Sequence, residues 1–140
     1  MAHKHLTTIT MGFIESISSA YSNWNNISGR ATRSQYWWFR LYLFLATLII
    51  ALVCTASCIL LKDNKGLSFI LLGLFFLFHI VPDFTIRVRR LHDTNKSGVW
   101  LLLYLLSGPG AVILLIFFLL PSEMDNRYGP KENADLENYK

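Results

Sequence analysis

The sequence predicts an all-α integral membrane protein, built from an amphipathic amino-terminal helix and three transmembrane helices. Hydrophobic residues make up 53% of the 140 residues and charged residues only 16%, against about 25% charged residues in ordinary soluble domains. Residues 41–61 carry no charge, and a helix of that length covers about 30 Å, the thickness of the hydrocarbon core of a bilayer. Most cations lie at the ends of the apolar segments, where membrane proteins carry them for orientation. The net charge of +4 therefore does not indicate nucleic-acid binding.

Residues 1–28 are expected to form an interfacial helix followed by a turn. Between residues 11 and 24, apolar side chains recur at helical spacing on one face, and they are Phe13, Ile14, Ile17, Ala20, Tyr21 and Trp24. Such a helix either lies on the membrane as an anchor or packs against the protein's own spans, and the pattern fits both. The polar run Asn23–Gly29 then indicates a turn.

The membrane domain is expected over residues 29–121, with spans at about 41–61, 67–86 and 99–120. The second span reaches membrane-spanning length only by running through Pro82, which predicts a kink. The third span has a Ser-Gly-Pro-Gly sequence at its centre, at residues 107–110. It is therefore either one kinked helix or a re-entrant hairpin whose halves are each too short to cross. Residues 122–140 form a polar tail.

Lysine and arginine residues give the orientation of the predicted spans. Four precede the first span and four lie in the charged segment Arg87–Ser97, against two in the first turn and three in the tail. The positive-inside rule therefore places the amino terminus and Arg87–Ser97, interpreted as a short loop, in the cytoplasm. In a three-span chain the tail lies outside, whereas a re-entrant third segment returns the tail to the cytoplasm.

Two basic segments are candidate binding surfaces. Arg30 and Arg33 precede an aromatic cluster that includes Trp37, and Arg89 and Arg90 follow the second span. Guanidinium groups bind phosphates through two hydrogen bonds, and aromatic rings favour the headgroup layer. These residues are either ordinary membrane anchors or, together, a site for an anionic partner, which would be a lipid headgroup or an acidic protein surface.

Ionisable residues also occur within the second span and directly after it. His79, Asp83 and Arg87 follow one another at intervals of four, which puts them on one helix face. They form either a polar path for protons or ions, or an acid that neutralises a neighbouring arginine. The second interpretation is favoured because several arginines lie close by in the sequence.

The adjacent pair His92 and Asp93 suggests an acid–base dyad or part of a metal site. Neighbouring residues on a helix point about 100° apart, so the two side chains do not orient each other. A metal site needs three or more ligands, which the chain does not supply around this pair, so no metal or cofactor is expected. Asp93, Asn95 and Ser97 are residue types typical of turns and helix caps, and the structural interpretation is favoured.

Three short segments carry a family resemblance, and they are Gly29-Arg30-x-x-Arg33-x-x-Tyr36-Trp37-x-Phe39, Arg89-Arg90-Leu91-His92-Asp93-x-x-x-Ser97-Gly98-x-Trp100 and Asn126-Arg127-Tyr128-Gly129-Pro130. In order and spacing they resemble DUF805, the YhaH/YhaI-like proteins of bacterial inner membranes. The chain departs from the family pattern at Val99, where the family often has a second Trp, and at residues 122–125, where it tends to be Gly-rich. The resemblance implies a small multi-spanning inner-membrane protein but supplies no molecular activity. Asn126 and Tyr128 join the candidate binding residues.

We expect a non-enzymatic role in binding or scaffolding through the basic cytoplasmic face. The expected partners are the lipid bilayer and its anionic headgroups, a second copy of the chain, or another membrane protein. The alternative functions are a transporter or channel component that uses the polar pair of the second span, and a membrane enzyme that uses the adjacent His–Asp pair. A ligand site becomes the leading interpretation if Arg30, Arg90, His92 and Tyr128 meet in one pocket.

Overall fold

A computed structural model describes residues 11–60 and 65–130. Within these ranges the chain forms five helices, which are α1 (Phe13–Ser22), α2 (Arg33–Leu60), α3 (Lys65–Asp93), a 3₁₀ helix (Gly98–Leu106) and α4 (Gly108–Leu119). The predicted all-helical architecture is confirmed. Residues 1–10 and 131–140, assigned above to the amino-terminal segment and the polar tail, lie outside the described residues.

Helix α1 packs against the protein's own helices, as one of the two interpretations expected. The rings of Phe13 and Trp38 of α2 meet edge to face at 5.8 Å between centroids. The buried positions of α1 are Ser16 and Ala20, whereas Ile14 is 79% exposed. The prediction that Ile14 lies on the buried face of α1 was therefore wrong. The buried face carries the small residues Ser16 and Ala20 instead, which allow α1 to approach α2 closely.

Helices α2 and α3 form a long antiparallel pair. The Tyr42 hydroxyl lies 3.2 Å from Nε2 of His79 towards one end of the pair, and Cys58 Sγ lies 3.3 Å from Ser68 Oγ towards the other. The helices have 28 and 29 residues, or about 42–44 Å at the α-helical rise, which exceeds the ~30 Å hydrocarbon core. Both are long and apolar enough to cross a membrane.

The apolar surface of this pair faces outward over most of its length. In the most apolar stretch of α2 no residue is buried, and in that of α3 only 22% of the residues are buried. A core helix of a soluble protein has the opposite distribution, since its apolar side chains are removed from water. The exposed faces therefore match the low polarity of lipid.

The charged segment Arg87–Ser97 is mostly helix, so its prediction as a short loop was wrong. Helix α3 continues through Pro82 and ends at Asp93. It ends where Asn95 takes a left-handed conformation (φ 57°) and the Lys96 N–H donates to the Leu91 carbonyl at 2.9 Å, a common way to terminate a helix. As predicted, Ser97 caps the next helix, accepting a hydrogen bond from the backbone N–H of residue 99.

The third apolar segment is a helical hairpin and not one kinked helix. The 3₁₀ helix and α4 lie side by side, with the rings of Trp100 and Phe117 5.4 Å apart. A Cβ atom built on Gly110 would lie 1.8 Å from the Leu103 carbonyl oxygen, so the close approach at this turn requires glycine. Each arm is about 18 Å long from its residue count and rise. The chain therefore returns to the end from which it left, as the re-entrant alternative expects.

The buried core lies at one end of the molecule. It joins α1, α2, α3 and α4 around the buried hydrophobic residues, which are Ala20, Ala31, Tyr36, Phe39, Ile86, Leu91, Leu114 and Phe118. The same end receives the start of α2, the end of α3 and both ends of the hairpin. These are the parts of the chain that carry the three motif segments.

Candidate functional site

The three motif segments meet at the buried end of α3. The Ala31 N–H donates to the Arg89 carbonyl at 3.1 Å, which joins the first segment to the second. Asn126 Nδ2 donates to the His92 carbonyl at 2.9 Å, which joins the third segment to the second. The three segments therefore converge, but through packed contacts within the protein and not around any of the cavities described below. The centre of these contacts is the Asp93 clasp, which we define as Arg30, Arg90, Asp93 and Ser122.

Arg30 uses all of its hydrogen-bonding capacity within the clasp. Its Nε donates to Asp93 Oδ1 at 3.0 Å, and its Nη2 donates to the backbone carbonyls of Asp93 and Glu123. Its Nη1 donates to the carbonyls of Met124 and Gly129 at 2.7 and 3.0 Å. A guanidinium has five N–H donors, and each has an acceptor here. Arg30 therefore ties residues 123–129 to α3 and has no donor left for an external anion.

Arg90 is fully buried and performs the same task for the hairpin. Its Nε and Nη2 donate to the carbonyls of Phe118 and Leu120, at the end of α4. Its Nη1 donates to the Ala31 carbonyl at 3.4 Å and to Asp93 Oδ2. The C-terminal carbonyls of α4 carry partial negative charge, so they favour a cation at this position.

The carboxylate of Asp93 is the anion that Arg30 and Arg90 share. Its Oδ1 accepts from Arg30, and its Oδ2 accepts from Arg90 and from the hydroxyl of Ser122. The side chain is 1% exposed. A buried charge is tolerated when it is both paired and hydrogen-bonded, and this carboxylate is both. Asp93 therefore has a structural role at the end of α3, although its side chain forms the centre of an ion-pair network and does not cap the helix.

Other candidate residues surround the clasp. The rings of His92 and Tyr128 stack at 3.8 Å between centroids with an interplanar angle of 4°. His92 Nδ1 lies 3.2 Å from the Gly29 carbonyl, and Asn126 accepts from the Tyr128 N–H at 2.9 Å. Arg89, which is also buried, donates to the carbonyl of residue 30 at 2.9 Å. All four side chains thus hold the motif segments together.

His92 and Asp93 do not form a dyad. Within residues 11–60 and 65–130, no hydrogen bond joins the two side chains, because His92 turns towards Tyr128 and Asp93 towards the two arginines. A general base needs a partner within hydrogen-bond reach. No group of three His, Cys, Asp or Glu side chains in the same ranges is placed to hold a metal ion.

Arg33 differs from Arg30, Arg89 and Arg90, which are buried, because it is exposed. It lines a surface cavity of about 460 Å³ with Trp37, Trp38 and Leu119. The indoles are exposed to 38% and 39%. Among the residues that the structure describes, nothing forms a hydrogen bond or ion pair with the Arg33 guanidinium. The first motif therefore has one buried arginine that serves the fold and one exposed arginine beside aromatic rings.

A second polar cluster lies between α2 and α3. Asp83 binds Arg87, one helical turn away on α3, and it also binds Arg40 of α2. The predicted Asp83–Arg87 pairing is confirmed, and Arg40 is a partner that the sequence did not reveal. A cavity of about 590 Å³ extends from this cluster between the helices, and we call it the α2–α3 groove. Its lining residues are Arg40, Leu43, Phe44, Thr47, Gly73, Phe75, Phe76, Leu77, His79, Ile80, Asp83 and Arg87.

His79 faces tyrosines and not Asp83. Its Nδ1 lies 2.7 Å from the Phe75 carbonyl, which only accepts, so Nδ1 carries a proton and donates. Its Nε2 lies 3.2 Å from the Tyr42 hydroxyl, which in turn lies 3.0 Å from the Tyr21 hydroxyl. Burial raises the pKa of Tyr21, and the hydrogen bond to Tyr42 raises this pKa further. The Tyr21 hydroxyl therefore keeps its proton at neutral pH.

Comparison with known proteins agrees with the motif segments. The model of the family described as "Protein of unknown function (DUF805)" matches residues 24–130. Inner membrane protein YhaI of Escherichia coli K12 is 36% identical over 112 residues, which cover 79% of this chain and 89% of YhaI. Inner membrane protein YhaH of the same organism is 32% identical over 111 residues, which cover 77% of this chain and 88% of YhaH. No solved structure matches significantly.

Proposed function

The chain belongs to the DUF805 family, and we propose that it is a non-enzymatic binding and scaffolding protein of the bacterial inner membrane. Two helices, α2 and α3, cross the bilayer, and the hairpin of the 3₁₀ helix and α4 enters it from one side without crossing. The amino-terminal helix, the Asp93 clasp and the start of the tail lie on the cytoplasmic side. There the exposed Arg33 and its neighbouring indoles bind an anionic headgroup.

The distribution of charge supports this orientation. Within the described residues, the arginines at the clasp end of α2, α3 and the tail lie on the same side as Lys96. By sequence, the turn between α2 and α3 contributes only Lys62 and Lys65. The side with the greater number of lysines and arginines faces the cytoplasm in membrane proteins.

The observation that carries the binding proposal is the contrast between Arg33 and the buried arginines. The charges of Arg30 and Arg90 are matched inside the protein by Asp93 and by backbone carbonyls. Within residues 11–60 and 65–130 the charge of Arg33 has no such match, and Trp37 and Trp38 line the same cavity. Indole rings favour the headgroup layer, and a guanidinium there attracts anionic lipids. The clasp makes this surface rigid, since it fixes the start of α2 to the end of α3.

Titration of the detergent-solubilised protein with phosphatidylglycerol, followed by tryptophan fluorescence, tests the proposal. One cation near an anionic surface contributes about 1 kcal/mol, so Arg33→Gln should weaken binding about fivefold. Phosphatidylcholine with the same acyl chains should give a much smaller response. The matched control is Arg127→Gln, which removes the same charge from the same end, away from the two indoles.

Equal losses in Arg33→Gln and Arg127→Gln would show that only net charge matters, and would contradict a site at Arg33. An unchanged response in Arg33→Gln would contradict it as well. Binding that does not distinguish the two lipids would leave the membrane assignment intact but refute an anionic ligand.

A further inference from the structure

The α2–α3 groove carries an unbalanced positive charge. Arg40 and Arg87 contribute two cations, and Asp83 contributes one anion. The side chain of Arg40 is 33% exposed and those of Asp83 and Arg87 are 21% exposed. Among these three side chains the ion pairs therefore leave one net positive charge.

This charge lies at the depth of the apolar surface. Asp83 is ten residues before Asp93, or about 15 Å along α3 from the clasp. Its neighbours Ile80 and Phe84 are exposed apolar side chains, as expected where lipid surrounds the helix. An unpaired charge at such a depth is costly, so an anion that reaches it is strongly favoured.

Arg87 also has an unused donor. Its Nη2 binds Asp83, and its guanidinium carbon lies 5.2 Å from the centre of the Tyr104 ring. Its Nε is buried, and no atom within residues 11–60 and 65–130 accepts a hydrogen bond from it. A buried donor without an acceptor costs about 1–3 kcal/mol. Arg87 therefore keeps positive potential at the charged end of the groove that no protein acceptor among the described residues offsets.

The rest of the groove is apolar and elongated. Below the charged end it is lined by Leu43, Phe44, Phe76 and Ile80, and it reaches Gly73. Gly73 is 14 residues from Arg87, or about 21 Å along the helix. A Cβ atom built on Gly73 meets nothing within 4 Å, so the far end of the groove is open. Space of this shape fits a hydrocarbon chain.

We propose that the α2–α3 groove binds one anionic phospholipid from the bilayer. The phosphodiester, with its single negative charge, binds Arg40 and Arg87, and one acyl chain lies between α2 and α3 as far as Gly73. The match of one negative to one net positive charge selects an anionic over a zwitterionic lipid. The groove and the cavity at Arg33 share no lining residue, so this site does not depend on the function proposed above.

Native mass spectrometry of the full chain, titrated with dioleoyl phosphatidylglycerol, tests the site. Arg40→Gln leaves Asp83 paired with Arg87 and makes the groove neutral, so phosphatidylglycerol should bind at least tenfold more weakly. Asp83→Asn should have the opposite effect and tighten binding several-fold, because the groove then carries two positive charges. If the ion pairs only stabilised the contact between α2 and α3, Arg40→Gln and Asp83→Asn would not change lipid affinity in opposite directions. All variants are compared in the Arg33→Gln background, which removes the headgroup site proposed above, so that the groove is the site whose occupancy changes.

The hydrocarbon part of the groove has its own test. Gly73→Leu fills the open end without touching a charge, and it should also weaken phosphatidylglycerol binding at least tenfold. Gly108→Leu is the matched control, because a Cβ atom at Gly108 likewise meets nothing within 4 Å but lies outside the groove. Thermal unfolding of each variant verifies that it folds.

Three outcomes would overturn the proposal. The first is wild-type affinity for phosphatidylglycerol in both Arg40→Gln and Gly73→Leu. The second is equal binding of phosphatidylcholine with the same chains, or displacement of phosphatidylglycerol by equimolar oleate, which would make the occupant a zwitterionic lipid or a fatty acid. The third is a dimer that excludes the lipid, which would make the occupant a second copy of the chain.

Discussion

Replacement of Asp93 by Asn should destabilise the protein more than any other single loss of charge among the residues described. The side chains of Arg30, Arg90 and Asp93 are exposed to 3%, 0% and 1%. Asn preserves the size of the side chain but removes the negative charge, which leaves two buried guanidinium groups with only carbonyl partners. Breaking a buried ion pair by removal of one partner costs about 3–5 kcal/mol, a large share of a typical stability of about 5–15 kcal/mol.

Asp83→Asn is the internal comparison, because Asp83 also binds two arginines. Its partner Arg40 is 33% exposed, and the Asp83 and Arg87 side chains are each 21% exposed. Because Arg40 and Arg87 are partly exposed, they can extend towards the headgroup layer when Asp83 loses its charge, so Asp83→Asn should lower stability much less. Denaturation in mixed micelles, followed by loss of helical circular dichroism, gives both free energies. If Asp93→Asn unfolds at the same denaturant concentration as Asp83→Asn, the clasp does not hold the fold together.

Two further predictions concern the hairpin and the topology. Gly110→Ala should lower the free energy of unfolding by about 1–3 kcal/mol, because the added Cβ atom overpacks against the Leu103 carbonyl. Gly73→Ala is the control and should not lower it, because a Cβ atom there meets open space. Equal unfolding temperatures of the two variants would contradict the close packing of the hairpin. In a chain whose native cysteines are replaced by serine, Met124→Cys and Asn95→Cys should react with a membrane-impermeant thiol reagent only after the cells are lysed. Labelling of Met124→Cys in intact spheroplasts would instead support three spans, with the tail outside.

Hydropathy was sufficient to locate the long helices. The predicted spans 41–61 and 67–86 match α2 and α3, apart from residue 61, which lies outside the described residues. This part was predictable because the length of an uncharged run can be read from the sequence and compared directly with the thickness of the bilayer. The ends were less predictable. Arg87 to Asp93 continue α3 as helix, because their charges are satisfied by packing against other segments and do not need to face water.

The candidate site was predictable as a set of segments but not as a geometry. Spacing identified Asp83 and Arg87 as a pair, since residues four apart on a helix are neighbours. No periodicity relates Arg40 to Asp83, because their contact depends on the register between two antiparallel helices. The part of Ser122 in the clasp could not be read from the sequence either, since it depends on the return of the hairpin.

The sequence by itself determined that this is a helical membrane protein of the DUF805 family, with basic residues near the ends of its apolar segments. These properties follow from the composition and from motifs of a few residues, each of which can be recognised without knowing how distant segments pack together. Only the tertiary structure decided that the third apolar segment turns back at Gly110 and brings residues 118–129 to the end of α3. That reversal brings Ser122, 29 residues from Asp93, to the shared carboxylate, and it brings the Phe118 carbonyl, 28 residues from Arg90, to the buried guanidinium. It thereby separates the arginines that are buried in the clasp from Arg33, which is exposed, and from Arg40 and Arg87, which share one partly exposed carboxylate.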